Sequence, residues 1–277
     1  MPRVLASDTM SALQAAILGV IQGLTEFLPV SSSAHLYVIP TLLGWHYAGV
    51  AFDVALHWGT LLALIVALGG TWLALFRDAL AGPPDRRSTA WSTLFKLAVA
   101  SIPAAVAGLL LQDAAEHWLR NLPLQAAMLV IFGFLLWWVD RSRPAGEEST
   151  HGPLEVPGFA ACFAVGCAQA LALVPGVSRS GVTITAARAF GIPRVSAARL
   201  SFLMATPITF GAGLLELRHL PRELPLSTLA IGVAVAAITG VIAIRGLLRW
   251  LQRAGFAGFF AYRVLFALGI VAFMLSR

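Results

Sequence analysis

Charge is scarce in this sequence. Of 277 residues, 12% are Asp, Glu, Lys or Arg, about half the roughly 25% usual in a soluble domain. So few charges cannot clothe a water-facing surface, which excludes a soluble enzyme, a disordered tail and a coiled coil. Lysine is almost missing: Lys96 is the only one among 19 basic residues. Cysteine is reduced to Cys162 and Cys167, which share one apolar run without the partners of a disulfide or metal framework and read as core. The stretch from Met1 to Met10 contains Arg3 and Asp8 but no long apolar run or small-residue cleavage site, so no removable signal peptide is expected there.

What is present is apolar surface. Hydrophobic residues make up 58% of the chain and the mean hydropathy is +0.82. At roughly 20 residues per span the length admits about six to nine membrane segments, and a single integral membrane domain covering 1–277 is expected. A net charge of +6 and a pI near 10.3 do not point to nucleic acid, because the charges sit at the ends of apolar runs, where cytoplasmic loops collect them. Spans are predicted at 50–76, 91–111, 124–139, 195–217, 227–244 and 255–275. Two further apolar regions are interrupted. Residues 14–28 meet Pro29-Val30-Ser31-Ser32-Ser33-Ala34-His35 before a short arm at 36–43. Residues 158–174 meet Pro175-Gly176-Val177-Ser178-Arg179-Ser180-Gly181 before an arm at 182–190. Each arm is too short to cross about 30 Å of hydrocarbon at about 1.5 Å per residue, so both regions read as re-entrant hairpins with irregular tips buried in protein.

The hairpins resemble each other. Shifted by 147 positions, Gly19, Gln22, Leu24, Val30, Ser31 and Ser33 fall on Gly166, Gln169, Leu171, Val177, Ser178 and Ser180. Three spans follow each hairpin, so each half crosses the membrane an odd number of times and the halves are expected to be inverted (about 11–139 and 157–275). Such repeats bring broken helices together at mid-membrane. The predicted fold is therefore an all-α polytopic membrane protein of two inverted-topology repeats, each a re-entrant hairpin plus three transmembrane helices. Twelve basic residues fall on one set of loops and five on the other, which predicts both termini outside the cytoplasm.

Ionisable groups inside a membrane are functional candidates. Glu26 lies four residues after Gln22, on the same helix face. His35 follows the serine run. Arg179, between Ser178 and Ser180 and bracketed by Gly176 and Gly181, is placed to grip phosphate oxygens with its fork, with converging backbone N–H groups and the start of a helix near Val182 adding to the cradle. Glu26 suits a divalent cation, with Asp53 as a candidate outer partner. His35 suits a general acid, a general base or a nucleophile; Ser32 competes as nucleophile. The residues alone do not choose between Ser32, His35 and water. Asp53 and His57, spaced i and i+4, read equally as partners of the site or as interfacial polar residues. Glu216 and Arg263 read as snorkelling or paired groups near span ends, and His46, His117, His151 and His219 as loop histidines.

At these segments the chain resembles the bacterial undecaprenyl-pyrophosphate phosphatases of the bacitracin-resistance type. Their first motif, Glu or Gln, three residues, then Glu, is met by Gln22 to Glu26 and continues through His35. Their second, Pro-Gly-x-Ser-Arg-Ser-x-x-Thr, is met by Pro175 to Thr183. The resemblance extends over nearly the whole chain, through Ser201-Phe202-Leu203 and Pro207. It implies hydrolysis of the terminal phosphate of undecaprenyl diphosphate, recycling the lipid carrier of cell-wall synthesis at the bacterial inner membrane, with a divalent cation (Mg2+ or Ca2+) as cofactor. Carried over by position, it makes Glu26, Ser32, His35 and Arg179 the catalytic group. Gln22, Ser31, Ser33, Gly176, Ser178, Ser180, Gly181 and Thr183 become substrate-binding. The implied partners are the polyprenyl diphosphate and the bilayer, with no nucleic acid and with a homodimer among the open assemblies. Departures are Gln22 at the first motif position, Asp53 and His57 where relatives often carry Glu and Gln, and Arg199 where an acidic residue is common. They bear on metal preference and pH optimum more than on reaction type. On architecture alone, a transporter or flippase for a polyprenyl phosphate or another anion is the competing reading; a non-catalytic scaffold leaves Glu26, His35 and Arg179 unexplained.

Overall fold

A computed structural model describes residues 10–45, 49–117, 119–144, 156–216 and 225–276. His46, His151 and His219, and the side chains of His117 and Glu216, lie outside the described residues. Within them the chain forms ten α-helices and no strand: α1 (Ala12–Phe27), α2 (Ser32–Leu42), α3 (Val50–Ala81), α4 (Pro84–His117), α5 (Leu122–Arg141), α6 (Phe159–Ala170), α7 (Arg179–Ala189), α8 (Arg194–Glu216), α9 (Leu226–Leu251) and α10 (Ala257–Leu275). Six of these, α3, α4, α5, α8, α9 and α10, are long and apolar enough to cross a membrane, and each contains or overlaps a predicted span. The short helices are the arms of the two interrupted regions, as the sequence predicts.

The interruptions are tighter than the sequence suggests. Helix α1 opens on a capping box, in which the Ser11 hydroxyl accepts from the Gln14 amide and the Gln14 side chain accepts from the Ser11 amide. It stops before Pro29, because a proline disfavours helical backbone in the residue preceding it. Helix α2 restarts at Ser32, so Ser32, Ser33, Ala34 and His35 form its first turn rather than a loop. After Leu171–Leu173, a short 3-10 turn, the second break ends at Arg179, which is the first residue of α7; the helix does not wait for Val182. Ser31 and Ser178, at equivalent repeat positions, have φ of 76° and 75°. These are the only non-glycine positive-φ residues among those described, and such strain persists only where surrounding contacts over-determine it.

Small residues let the short helices approach the long ones. A Cβ on Gly19 of α1 would stand 2.5 Å from the Gly232 carbonyl oxygen of α9, and one on Gly23 would meet Thr239 and the Ala236 carbonyl. In the second half, a Cβ on Gly166 of α6 would stand 2.1 Å from the Ala100 carbonyl oxygen of α4. Close backbone crossings of this kind replace the hydrophobic effect as the glue between helices in lipid. Gly166→Val is therefore expected to cost about 3 kcal/mol or more, lowering the Tm of the detergent-solubilised protein by roughly 6–12 °C. Gly269→Ala, where an added Cβ meets nothing within 4 Å, is the neutral control. Equal melting of the two variants would contradict this account of the α4–α6 crossing. Cys162 is buried in the main apolar cluster, whereas Cys167 is exposed on α6 rather than in the core.

Candidate active site

The two tips meet. Ser180 of the second donates to the Leu28 carbonyl before the first at 3.3 Å. Arg179 crosses 153 residues of sequence to reach Glu26: its Nη2 donates to Oε1 at 3.0 Å and its Nε to the same oxygen at 3.4 Å. Its Nη1 donates to the Ser201 carbonyl at 3.4 Å. The other Glu26 oxygen accepts from the Ser32 hydroxyl at 2.5 Å and from Gln22 Nε2 at 3.2 Å, and His57 Nε2 stands 3.4 Å away. Glu26 is 6% exposed and Arg179 13%. A carboxylate, a cation and a hydroxyl are thereby held in a cavity of about 240 Å³. Ser31, Ser33, Ser178, His57, Gln169 and Thr209 complete its polar lining, and Ala104, Ala172, Leu173, Ile208 and Ala212 its apolar lining.

Not every residue singled out from the sequence lines this cavity. His35 is 2% exposed, and its ring is committed elsewhere. Nδ1 faces the Ser31 carbonyl at 2.8 Å, so it carries the hydrogen; Nε2 is then left to accept from the Tyr262 hydroxyl at 2.7 Å. The ring stacks on Phe266 with centroids 4.0 Å apart. His35 thus grips the strained Ser31 from behind. Thr183 is fully buried and bonded to the Arg179 carbonyl and the Ser201 hydroxyl. Gly176, at φ 96°, supplies the turn. Gly181 does not offer its amide to an anion, because that N–H donates to the Ser178 hydroxyl that caps α7; the lack of a side chain there makes room for Arg263, whose Nη1 would stand 3.2 Å from a Cβ. The Asp53 carboxylate pairs with Arg120 at 3.5 Å. Asp53 enters the site through its backbone, whose carbonyl accepts from His57 Nδ1 at 2.7 Å.

Sequence reasoning misplaced Arg263. It is neither snorkelling nor near a span end: it is fully buried on α10. Its Nη2 donates to the carbonyls of Gly176 (2.6 Å), Val177 (3.0 Å) and Met128 (3.3 Å), and its Nη1 to that of Pro29 at 3.4 Å. One guanidinium therefore holds both tips. Tyr262, its neighbour in sequence, was not singled out at all. Its i and i+4 spacing to Phe266 on an apolar helix carries no functional signal until α2 is seen stacked against it.

The donor set bears on whether a divalent cation fits. Among the described residues no three His, Cys, Asp or Glu side chains converge. The available ligands are oxygens of other kinds: the Glu26 carboxylate, the Ser32 hydroxyl and the buried Gln169 Oε1, which has no hydrogen-bond partner; Gln22 Oε1 is likewise unpartnered but Gln22 does not line the cavity. An all-oxygen set with a single carboxylate fits a hard cation held jointly with phosphate oxygens, not one caged by protein alone.

The pattern of the family described as bacitracin resistance protein BacA matches residues 15–270. A protein named undecaprenyl-diphosphatase from Gemmatimonas aurantiaca is 45% identical over 271 residues, covering 97% of this chain and 100% of its own. Proteins of the same name from Pelotomaculum thermopropionicum and Moorella thermoacetica are 43% and 44% identical, over 97% of this chain and 98% and 100% of theirs.

Proposed function

Because the chain belongs to the bacitracin resistance protein BacA family, we infer that it is a multi-pass membrane phosphatase. It hydrolyses undecaprenyl diphosphate to undecaprenyl phosphate and inorganic phosphate. The observation that carries the chemistry is the Ser32–Glu26–Arg179 line: a hydroxyl 2.5 Å from a carboxylate that is itself 3.0 Å from a guanidinium, in a cavity that also has apolar lining residues. Ser32 is the nucleophile in this reading. Its oxygen bonds to the terminal phosphorus while its proton passes to Glu26, and the bridging P–O bond breaks to release the lipid monophosphate. Water then cleaves the phosphoserine, returning the hydroxyl and freeing phosphate. Arg179 turns its fork from Glu26 toward the terminal phosphate as negative charge gathers there.

His35 acts in this scheme by holding the Ser31 turn, not by attacking. A divalent cation, Mg2+ or Ca2+, would be held by Glu26, the free amide oxygen of Gln169, and the substrate's own phosphates; when bound it supplies charge neutralisation. The equivalent positive-φ serines, the matching glycine crossings at Gly19 and Gly166 and the shared helix order support two inverted repeats whose hairpins re-enter the membrane. The excess of basic residues on one set of loops supports termini on the non-cytoplasmic side. Transport alone requires no nucleophile, whereas a serine hydroxyl bonded to a buried carboxylate favours hydrolysis.

The test is trapping. With substrate labelled in its terminal phosphate and quenched in acid, wild-type protein is expected to yield labelled phosphoserine at Ser32. Ser32→Ala is expected to yield none and to lose roughly 10³-fold or more in kcat. Full turnover by Ser32→Ala would return the nucleophile to water. A chelator is expected to abolish release from the wild type, with restoration by added Mg2+ or Ca2+; turnover indifferent to chelation would remove the cation from the scheme.

A further inference from the structure

The cavity that holds the Glu26–Arg179 pair has both polar and apolar lining residues, and those contributed by α4 and α8 range from buried to exposed. Ala104 and Thr209 are buried, Ile208 is half-buried and Ala212 is exposed. Three of these four lie on α8 and one on α4, and the two helices pack together. Each helix also carries a proline immediately before a lining residue, Pro103 before Ala104 and Pro207 before Ile208. A proline inside a helix lacks the N–H that would complete a turn and keeps neighbouring backbone from closing up. Ala104 on α4 and Ala212 on α8 are small where a bulky pair would seal the seam.

We propose that the gap between α4 and α8 is the lateral portal through which the isoprenoid tail of the substrate runs from the diphosphate site into the bilayer, with Ala104, Ile208 and Ala212 forming its walls. This assignment rests on the phosphatase reading for the head group but makes its own claim about the tail. A long apolar chain cannot be drawn across the cavity's serines and Glu26 without burying them against hydrocarbon. A path past Ala104, Ile208 and Ala212 spares that cost.

A second apolar groove of about 480 Å³ is the competitor, lined by Leu24, Leu28, Val30, Trp250, Phe259 and Tyr262. It lacks a polar end. Its hydroxyls are committed, Thr25 to the Ile21 carbonyl and Tyr262 to His35, so nothing there receives a diphosphate.

Two measurements decide the matter. In the first, wild-type protein is photolabelled with a C15 polyprenyl diphosphate bearing a diazirine on its terminal isoprene. Label is expected on α4 and α8 beyond Ala104 and Ile208; label concentrated at Trp250, Phe259 and Tyr262 would overturn the portal. In the second, Ala212→Trp is expected to raise KM for undecaprenyl diphosphate at least tenfold more than it raises KM for the C5 dimethylallyl diphosphate. Equal effects on long and short substrates, or none on the long one, would overturn it. If the wild type releases no phosphate from any substrate, the phosphatase reading falls, and the labelling pattern still decides where the tail lies.

Discussion

Arg179→Ala is expected to reduce kcat/KM for phosphate release by 10³-fold or more, about 4 kcal/mol of transition-state stabilisation. Two effects add. The substitution removes the forked donor that matches phosphate oxygens, and loss of one such preorganised donor costs about 10²–10³ in rate. It also leaves Glu26 without its 3.0 Å cationic partner in a cavity that must then admit a diphosphate, so like charges face each other at short range. Arg179→Lys separates the two. The ammonium keeps the charge but not the planar fork, and roughly 10²-fold loss is expected, most of it in kcat. Folding should survive in both, because Arg179 occupies the first position of α7 and contributes no intrahelical N–H bond that its replacement lacks. Phosphate release measured beside a monodisperse elution profile checks the prediction. Retention of a tenth of wild-type activity by Arg179→Ala would remove the arginine from the reaction.

How much of this was legible in advance depends on how far each contact reaches along the chain. The six long helices were readable because twenty-residue apolar runs admit one solution in lipid. The two breaks were readable because proline and glycine interrupt those runs, and the 147-residue offset pairs Ser31 with Ser178 before either backbone is seen. The tips' inner assignments were not. That α7 begins at Arg179 depends on Ser178 turning its hydroxyl onto the Gly181 amide, a local choice that a Gly/Ser-rich segment leaves open. The turn of His35 away from the cavity depends on Tyr262, 227 residues away. An arginine in an apolar helix reads the same whether it snorkels or clamps; only the carbonyls of Pro29, Gly176 and Val177 around Arg263 decide that. Conversely, the repeat fails at the positions that matter chemically. Glu26 falls on Leu173 and Ser32 on Arg179 at the same offset, so one tip supplies the carboxylate and hydroxyl and the other the cation.

The clamp itself gives the second large effect. Arg263→Met keeps an unbranched apolar side chain on α10 but withdraws every donor from the four carbonyls that Arg263 now satisfies. In lipid-buried protein no water replaces it. Leaving such acceptors unpaired is expected to cost about 3–5 kcal/mol, lowering Tm by roughly 6–20 °C. The consequence for turnover is the more telling one. Ser31 and Ser178 hold positive φ because the tips are fixed from several sides, and Arg263 touches the carbonyls of the residues just before each of them, Val177 directly and Pro29 two positions away. Without it the Ser32 hydroxyl and the Arg179 fork lose their common frame. A displacement of about 1 Å there is worth about 10²-fold in rate. We therefore expect kcat to fall about 100-fold at a temperature well below the variant's Tm, with KM changed less than threefold, since Arg263 lines no part of the cavity. Gly133→Ala, whose added Cβ would stand 3.1 Å from the Arg263 Cδ, should shift both quantities in the same direction by a smaller amount. A purely structural arginine would lower Tm in both variants and leave the kcat of the folded fraction intact, and that outcome would sever the clamp from catalysis.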